Sequence, residues 1–188
     1  MTRFETQKFI REIVKASTIQ ISAERDWTGA PLRVSIALAG PAASIPSLKN
    51  AKMPNQNFIN PKVLARLVAL DVLFERAVKE SGAKLCFPAG PVWVTLLLGR
   101  RPVTFDADNC LAAVMDWLEP NTKSNRRNLR GWGIGLVTND RYSSGLAVKA
   151  SDLGMTTEST LIIVSRLELV RKDLFTFIET QGACALWA

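Results

Sequence analysis

Three aspartates, Asp106, Asp108 and Asp140, are the residues whose type and spacing best suit chemistry. Asp106 and Asp108 stand where a predicted strand meets a predicted helix, and their side chains project from one face if that stretch is extended. Asp140 follows another predicted strand. Converging carboxylates need a cation between them, and such oxygen ligands suit Mg²⁺ or Mn²⁺, which activate water for phosphoryl chemistry. The alternative is that Asp108 caps a helix and the other two are turn residues.

The absence of histidine limits the other kinds of chemistry. None of the 188 residues is a histidine. This excludes Ser-His-Asp and Cys-His triads in their usual form, and every zinc site that needs imidazole. Hydrolytic chemistry would therefore use carboxylates with a hard metal, a lysine, or the single tyrosine, Tyr142.

Basic residues flank the aspartates in the sequence. The net charge is +7, which favours a polyanionic partner through counterion release and long-range steering. Guanidinium and ammonium groups beside a metal site would hold phosphates that the carboxylates repel. The alternative is that these side chains belong to ordinary solvated loops. The candidates precede the acidic motif, follow its helix, or lie in an earlier proline-rich loop: Arg100 and Arg101; Lys123, Arg126, Arg127 and Arg130; Lys49 and Lys52.

The pattern of apolar residues predicts an α+β fold with a mixed sheet. Helices are predicted over residues 4–17, 61–79, 108–118 and 169–180, and Asp71 is placed on the exposed side of the second. Strands are predicted over 32–38, 91–98, 134–138, 145–150 and 160–168. Residues 40–60, with several prolines, are expected to form an extended loop.

The order of these motifs resembles a known family. The stretch from Phe105 to Leu118 reads FDADNCLAAVMDWL, and after a loop the stretch from Gly135 to Asp140 reads GLVTND. This order of motifs resembles the RusA-type Holliday-junction resolvases. In that family an Asp-x-Asp-Asn motif opens a helix, an aspartate lies one turn before the helix ends, and a strand that begins with glycine ends on an acidic pair. The strand and Pro-Ser loop from Leu38 to Ser47 also look like that family. The resemblance spans roughly residues 32–168.

The resemblance implies a homodimeric, Mg²⁺-dependent endonuclease, with Mn²⁺ as a substitute, that nicks two strands of a four-way DNA junction. It implies a RusA-like domain over residues 31–188, preceded by an added N-terminal helical extension over residues 1–30. Asp106, Asp108 and Asp140 would bind the metal, and Asn109 would support the site. Asp116 matches the family's helix pattern, but we expect a solvent-exposed or structural role for it.

Two departures from the family leave other functions open. Ala112 stands where the family has a lysine that is important for cleavage, and Asn139 replaces the first member of the acidic pair. The lysine would normally stabilise charge developing on the phosphate. One alternative is therefore a non-catalytic protein that binds branched DNA. Another is a protein-interaction module whose charge serves only solubility.

The sequence does not predict a membrane protein. The longest apolar runs, such as Val92 to Leu98, are far shorter than the roughly 20 residues that cross a bilayer. Charges occupy the N-terminal positions where a signal peptide would be apolar. We expect a cytoplasmic protein, and the resemblance suggests that a bacterium or a phage encodes it.

Overall fold

A computed structural model describes residues 2–46, 60–82, 85–99, 107–120, 133–138, 143–149 and 158–172. The fold is α+β with a mixed sheet, as predicted, and the sheet has five strands among the described residues. The helices are α1 (Arg3–Ala16), α2 (Pro61–Ser81) and α3 (Ala107–Leu118), and residues 167–172 are also helical. The strands are β1 (Thr18–Arg25), β2 (Pro31–Ala39), β3 (Val92–Gly99), β4 (Ser143–Lys149) and β5 (Ser159–Arg166).

The ends of α1 and α2 follow from local sequence. The Thr2 side chain caps α1 by accepting from Glu5 N, and the Glu5 carboxylate accepts a hydrogen bond from the Thr2 backbone N–H, which completes a capping box. The Asn60 side chain caps α2 by accepting a hydrogen bond from Lys62 N. Pro61 occupies the first turn, where a backbone N–H has no partner within the helix, so its missing N–H costs nothing. Gly82 ends α2 in the left-handed conformation with φ 61°. These ends agree closely with the predicted helices.

The sheet order is β1-β2-β5-β3-β4. Its first four strands pair antiparallel, whereas β3 and β4 pair parallel, joined by the connection that contains α3. The register sets Arg166 of β5 and Ser143 of β4 beside Val92, and Ser159 beside Gly99. The sheet therefore has a Val92 end and a Gly99 end.

One face of the sheet supplies most of the core. Alternate residues of the three central strands are almost fully buried, and they form one cluster with the inner faces of α1, α2 and α3. Burial of this area is the main stabilising term of the fold. The core residues on the three strands are Val34, Ile36, Leu38, Val92, Val94, Leu96, Leu98, Ile162 and Val164. The residues between them are half-buried on the opposite face.

Two predicted elements differ from the structure. The predicted strand over 134–138 is wrong, because this segment forms only an isolated bridge between Ile134 and Pro120. Gly133 and Gly135 have φ values of 133° and 63°, which an extended strand does not accommodate. The predicted loop after β2 begins with a short 3₁₀ helix, Gly40–Ala43, and is described as far as Pro46.

The first 30 residues contain a strand that the sequence analysis did not predict. β1 pairs with β2 along its whole length, and Ile13 and Val14 of α1 belong to the common core. Residues 2–30 thus contain a helix of 14 residues and a strand of 8 residues. The domain boundary at residue 30 and the RusA-like topology stay predictions. In the part of the chain that the structure describes, no helix is long and apolar enough to cross a membrane.

Candidate functional site at the start of helix α3

Asp108 lies exposed in the first turn of α3. The helix begins at Ala107, one residue earlier than predicted, so the interpretation of Asp108 as the N-cap is wrong. A carboxylate in the first turn interacts favourably with the helix dipole and keeps both oxygens accessible. Asn109 is half-buried behind it. Asp108 and Asn109 are the residues of the predicted acidic motif that lie in the described part of the chain.

The other predicted site residues lie outside the described part of the chain. They are Asp106, Asp140, Arg100, Arg101, Lys123, Arg126, Arg127, Arg130, Lys49 and Lys52. Among the residues that are described, no group of three or more acidic or cysteine side chains could hold a metal ion. The three-aspartate site therefore stays a prediction. The positions of α3 and β4, which are next to the aspartates in the sequence, limit where the site could be.

Helix α3 runs from the Gly99 end of the sheet to the Val92 end. Near its start, the Cys110 thiol contacts Ile45 O at 3.5 Å, and Ile45 follows β2 at the Gly99 end. At its last turn, Trp117 O accepts a hydrogen bond from Ile134 N at 3.0 Å. The segment with Ile134 in turn binds Phe87 N, just before β3, through Leu136 O. Asp108 therefore lies at the Gly99 end.

Strand β4 begins at the opposite end from Asp108. Ser143 pairs with Val92, and Asp140 is three residues before Ser143 in the sequence. Three residues reach about 10 Å at most, whereas α3 alone spans about 18 Å. Metal ligands must bring their oxygens to about 2 Å from a common ion. This register does not favour a metal site made from all three aspartates of one copy.

The described residues that flank the predicted basic residues in the sequence lie at both ends of the sheet. Gly99, the last residue of β3, and Pro46, which comes after β2, are at the Gly99 end. Pro120 and Ile134 form a bridge at the Val92 end.

Ala112 occupies the α3 position where the resemblance expects a lysine. It lies one turn after Asp108, and both residues are exposed. Residues four apart in a helix share a face. The exposed face beside Asp108 thus carries a methyl group at the position where the resemblance expects a lysine.

A half-buried carboxylate at the Val92 end, Asp71, was missed by the sequence analysis, which placed it on the exposed side of α2. Asp71 accepts hydrogen bonds from Trp117 Nε1 at 2.6 Å and from Gly133 N at 3.0 Å. Trp117 is itself fully buried and meets Phe74 edge to face. Asp71 therefore joins α2 to the end of α3 and to Gly133. The sequence did contain one indication that Asp71 faces the core, which is its position within the apolar stripe of α2, beside Leu70 and Phe74.

Comparison with known proteins adds no relative. No family model, no curated protein and no solved structure matches this chain. The resemblance to RusA-type resolvases therefore depends on the quoted residues of this sequence.

Burial raises the pKa of Asp71 to about 6, and the hydrogen bonds from Trp117 and Gly133 oppose that rise only in part. A raised folded-state pKa means that the folded protein binds the proton more tightly than the unfolded chain. Stability from this group is therefore gained as the pH falls through about 6. We expect wild type to gain about 1–2 kcal/mol over Asp71→Asn between pH 7 and pH 4.5, measured by urea unfolding.

Glu75→Gln is the matched control for this experiment, because Glu75 lies one turn further along α2 and is exposed. Its stability should follow the wild-type pH dependence closely, with a small reduction because Glu75 also raises the Asp71 pKa. Parallel pH curves for wild type and Asp71→Asn would contradict the raised pKa.

Proposed function

We propose that the chain is a Mg²⁺-dependent endonuclease that nicks branched DNA and acts as a homodimer. The observation that carries the proposal is Asp108, an exposed carboxylate in the first turn of α3 within the Asp-x-Asp-Asn motif. Oxygen ligands of this kind suit Mg²⁺, which lowers the pKa of bound water and stabilises an in-line phosphoryl transition state. Mn²⁺ is the expected substitute.

The direction of β4 supports a site shared between two copies. Within one copy, the start of β4 lies at the opposite end of the sheet from Asp108. In a two-fold dimer, each copy would offer Asp106 and Asp108 to the segment before the other copy's β4. Such an arrangement gives two equivalent sites related by symmetry, which paired nicks on a four-way junction require.

Charge supports the choice of DNA as substrate. The net charge is +7, and basic residues flank the acidic motif in the sequence. The described residues carry no helix-turn-helix or zinc site, so shape and phosphate contacts are the expected mode of recognition. Junction binding should accordingly be sensitive to salt.

The second candidate function is non-catalytic binding of branched DNA, and Ala112 is the observation that favours it. Its exposed methyl group leaves the face of α3 beside Asp108 without the expected cation. Arg101, Lys123 or Arg127 would then have to supply the positive charge if cleavage occurs. A gain of nicking in Ala112→Lys would show that the wild-type site lacks this group.

The test uses a labelled four-way junction and a duplex of equal length. We expect the protein to nick two strands of the junction with Mg²⁺ or Mn²⁺, to leave the duplex uncut, and to be inactive with a chelator. Salt-sensitive binding of the junction in Ca²⁺ without nicking in either active ion would establish the non-catalytic alternative. Equal, metal-independent affinity for junction, duplex and single strand would overturn both proposals.

A further inference from the structure

Trp27 stands at the tip of the hairpin between β1 and β2, with 97% of its surface exposed. The next most exposed large hydrophobic residue in the described part of the chain is Phe4, at 71%. A tryptophan left in water at a hairpin tip contributes nothing to the core. Large exposed aromatic surfaces are typical of contact sites.

The hairpin tip is held in one conformation by hydrogen bonds. Asp26 Oδ1 accepts from Thr28 N at 2.9 Å and from Ala30 N at 3.0 Å. Arg25 donates to Gly29 O at 2.7 Å across the turn. The Thr28 hydroxyl, with these backbone donors and Arg166, lowers the pKa of Asp26 to about 2, so the carboxylate stays charged. Binding of a partner to Trp27 would therefore cost little conformational entropy in the backbone around it.

A pocket of about 520 Å³ adjoins the hairpin. Its walls are residues 87–92 before and at the start of β3, and residues 166–168 and Arg171 at the end of β5. Arg166 lies in the wall and also binds Asp26 Oδ2 at 2.9 Å, so it connects the pocket to the residue before Trp27. An aromatic side chain and an open basic pocket are thus held together at the Val92 end.

The charge around this site favours an anion. The nearby carboxylates are paired, since Arg33 contacts Glu24 and Arg166 contacts both Asp26 and Glu168. Three further cations, Arg25, Arg171 and Lys172, are exposed around them. A flat apolar ring surrounded by cations fits a nucleobase and its phosphates.

We propose that Trp27 stacks on an unpaired base of branched DNA, and that Arg171 in the adjoining pocket binds a neighbouring phosphate. The inference rests on the DNA ligand of the proposed function, but it does not need catalysis. It gives the hairpin the task of recognising the branch point, at the opposite end of the sheet from Asp108. Stacking needs no particular base, because every base has an aromatic face.

The test is the fluorescence of a four-way junction with one unpaired 2-aminopurine at the branch point, measured in Ca²⁺ so that nicking does not interfere. We expect wild type to quench the probe on binding. Trp27→Ala should lose the quenching and bind the junction about tenfold more weakly, whereas Trp27→Phe should keep most of both. Arg171→Ala should keep the quenching and lower the salt dependence of log affinity by about one unit.

Phe4→Ala is the matched control, because it removes the other highly exposed aromatic residue. It should bind and quench as wild type does, and thermal melting should show that both alanine variants stay folded. Quenching and affinity that are unchanged in Trp27→Ala would overturn the inference, as would equal losses in Phe4→Ala. If quenching depends on Trp27 while wild type never nicks the junction, only the nuclease proposal fails.

Discussion

Replacing Asp108 with asparagine is expected to lower the rate of junction nicking by about 100-fold or more, while the affinity for the junction in Ca²⁺ changes little. An amide oxygen is a neutral and weaker ligand for Mg²⁺ than a carboxylate oxygen, so the metal would be lost or misplaced. Asp108 is exposed in the first turn of α3, and the helix should lose only a few tenths of a kcal/mol of dipole interaction. Single-turnover nicking of a labelled junction measures the effect.

Asp116→Asn is the control for this variant, since Asp116 lies on the same helix and matches the family pattern without an expected metal role. It should nick within about threefold of wild type, because electrostatic changes at a distance are small in water. If Asp108→Asn nicks as fast as wild type, Asp108 is not a metal ligand. Equal losses in the two variants would point to a general defect of α3.

Gly40→Ala is expected to reduce the free energy of unfolding by about 2–4 kcal/mol, because strain and a steric clash add. Gly40 has a φ of 78°, and an added Cβ would lie 2.5 Å from Ala16 O, a backbone atom at the end of α1. A hydrogen bond of 2.9 Å from Ala42 N to Ser17 Oγ holds the residue after α1 against the 3₁₀ helix that follows β2, close to Gly40. Urea unfolding gives the free energy if the slope with denaturant is unchanged.

Gly82→Ala separates the two causes. Gly82 has a φ of 61°, and an added Cβ there would meet nothing within 4 Å. It should therefore show the backbone cost alone, about 1 kcal/mol. Equal losses in the two variants would mean that the close approach to Ala16 does not matter for stability.

The sequence predicted elements where one local signal was strong. The apolar stripe and Pro61 predicted α2 almost to its last residue, and the buried run of β3 was equally clear. β1 was missed although Ile19, Ile21 and Ala23 alternate with polar residues. Its outer residues are exposed because it is an edge strand, so it lacks the continuous apolar run that identified β3 and β5.

The candidate site was less predictable, because it depends on which strands are neighbours. The residues around Asp108 predicted the helix that carries it, but nothing local shows that β4 runs parallel to β3. That direction alone puts Ser143 and Asp108 at opposite ends of the sheet. Asp71 could not be recognised as a half-buried, hydrogen-bonded residue from its type, since its partners, Trp117 and Gly133, are far away in the sequence.

The position of β5 has a consequence for how the chain is made. It is the last strand among the residues that the structure describes, yet it lies in the middle of the sheet between β2 and β3. Arg33 and Ser165, which meet across β2 and β5, are 132 residues apart. Translation at about 5–20 residues per second leaves β2 and β3 without their shared neighbour for several seconds. A ribosome that stops before Ser159 would release two pieces of sheet with open apolar edges, a product suited to chaperones and proteases.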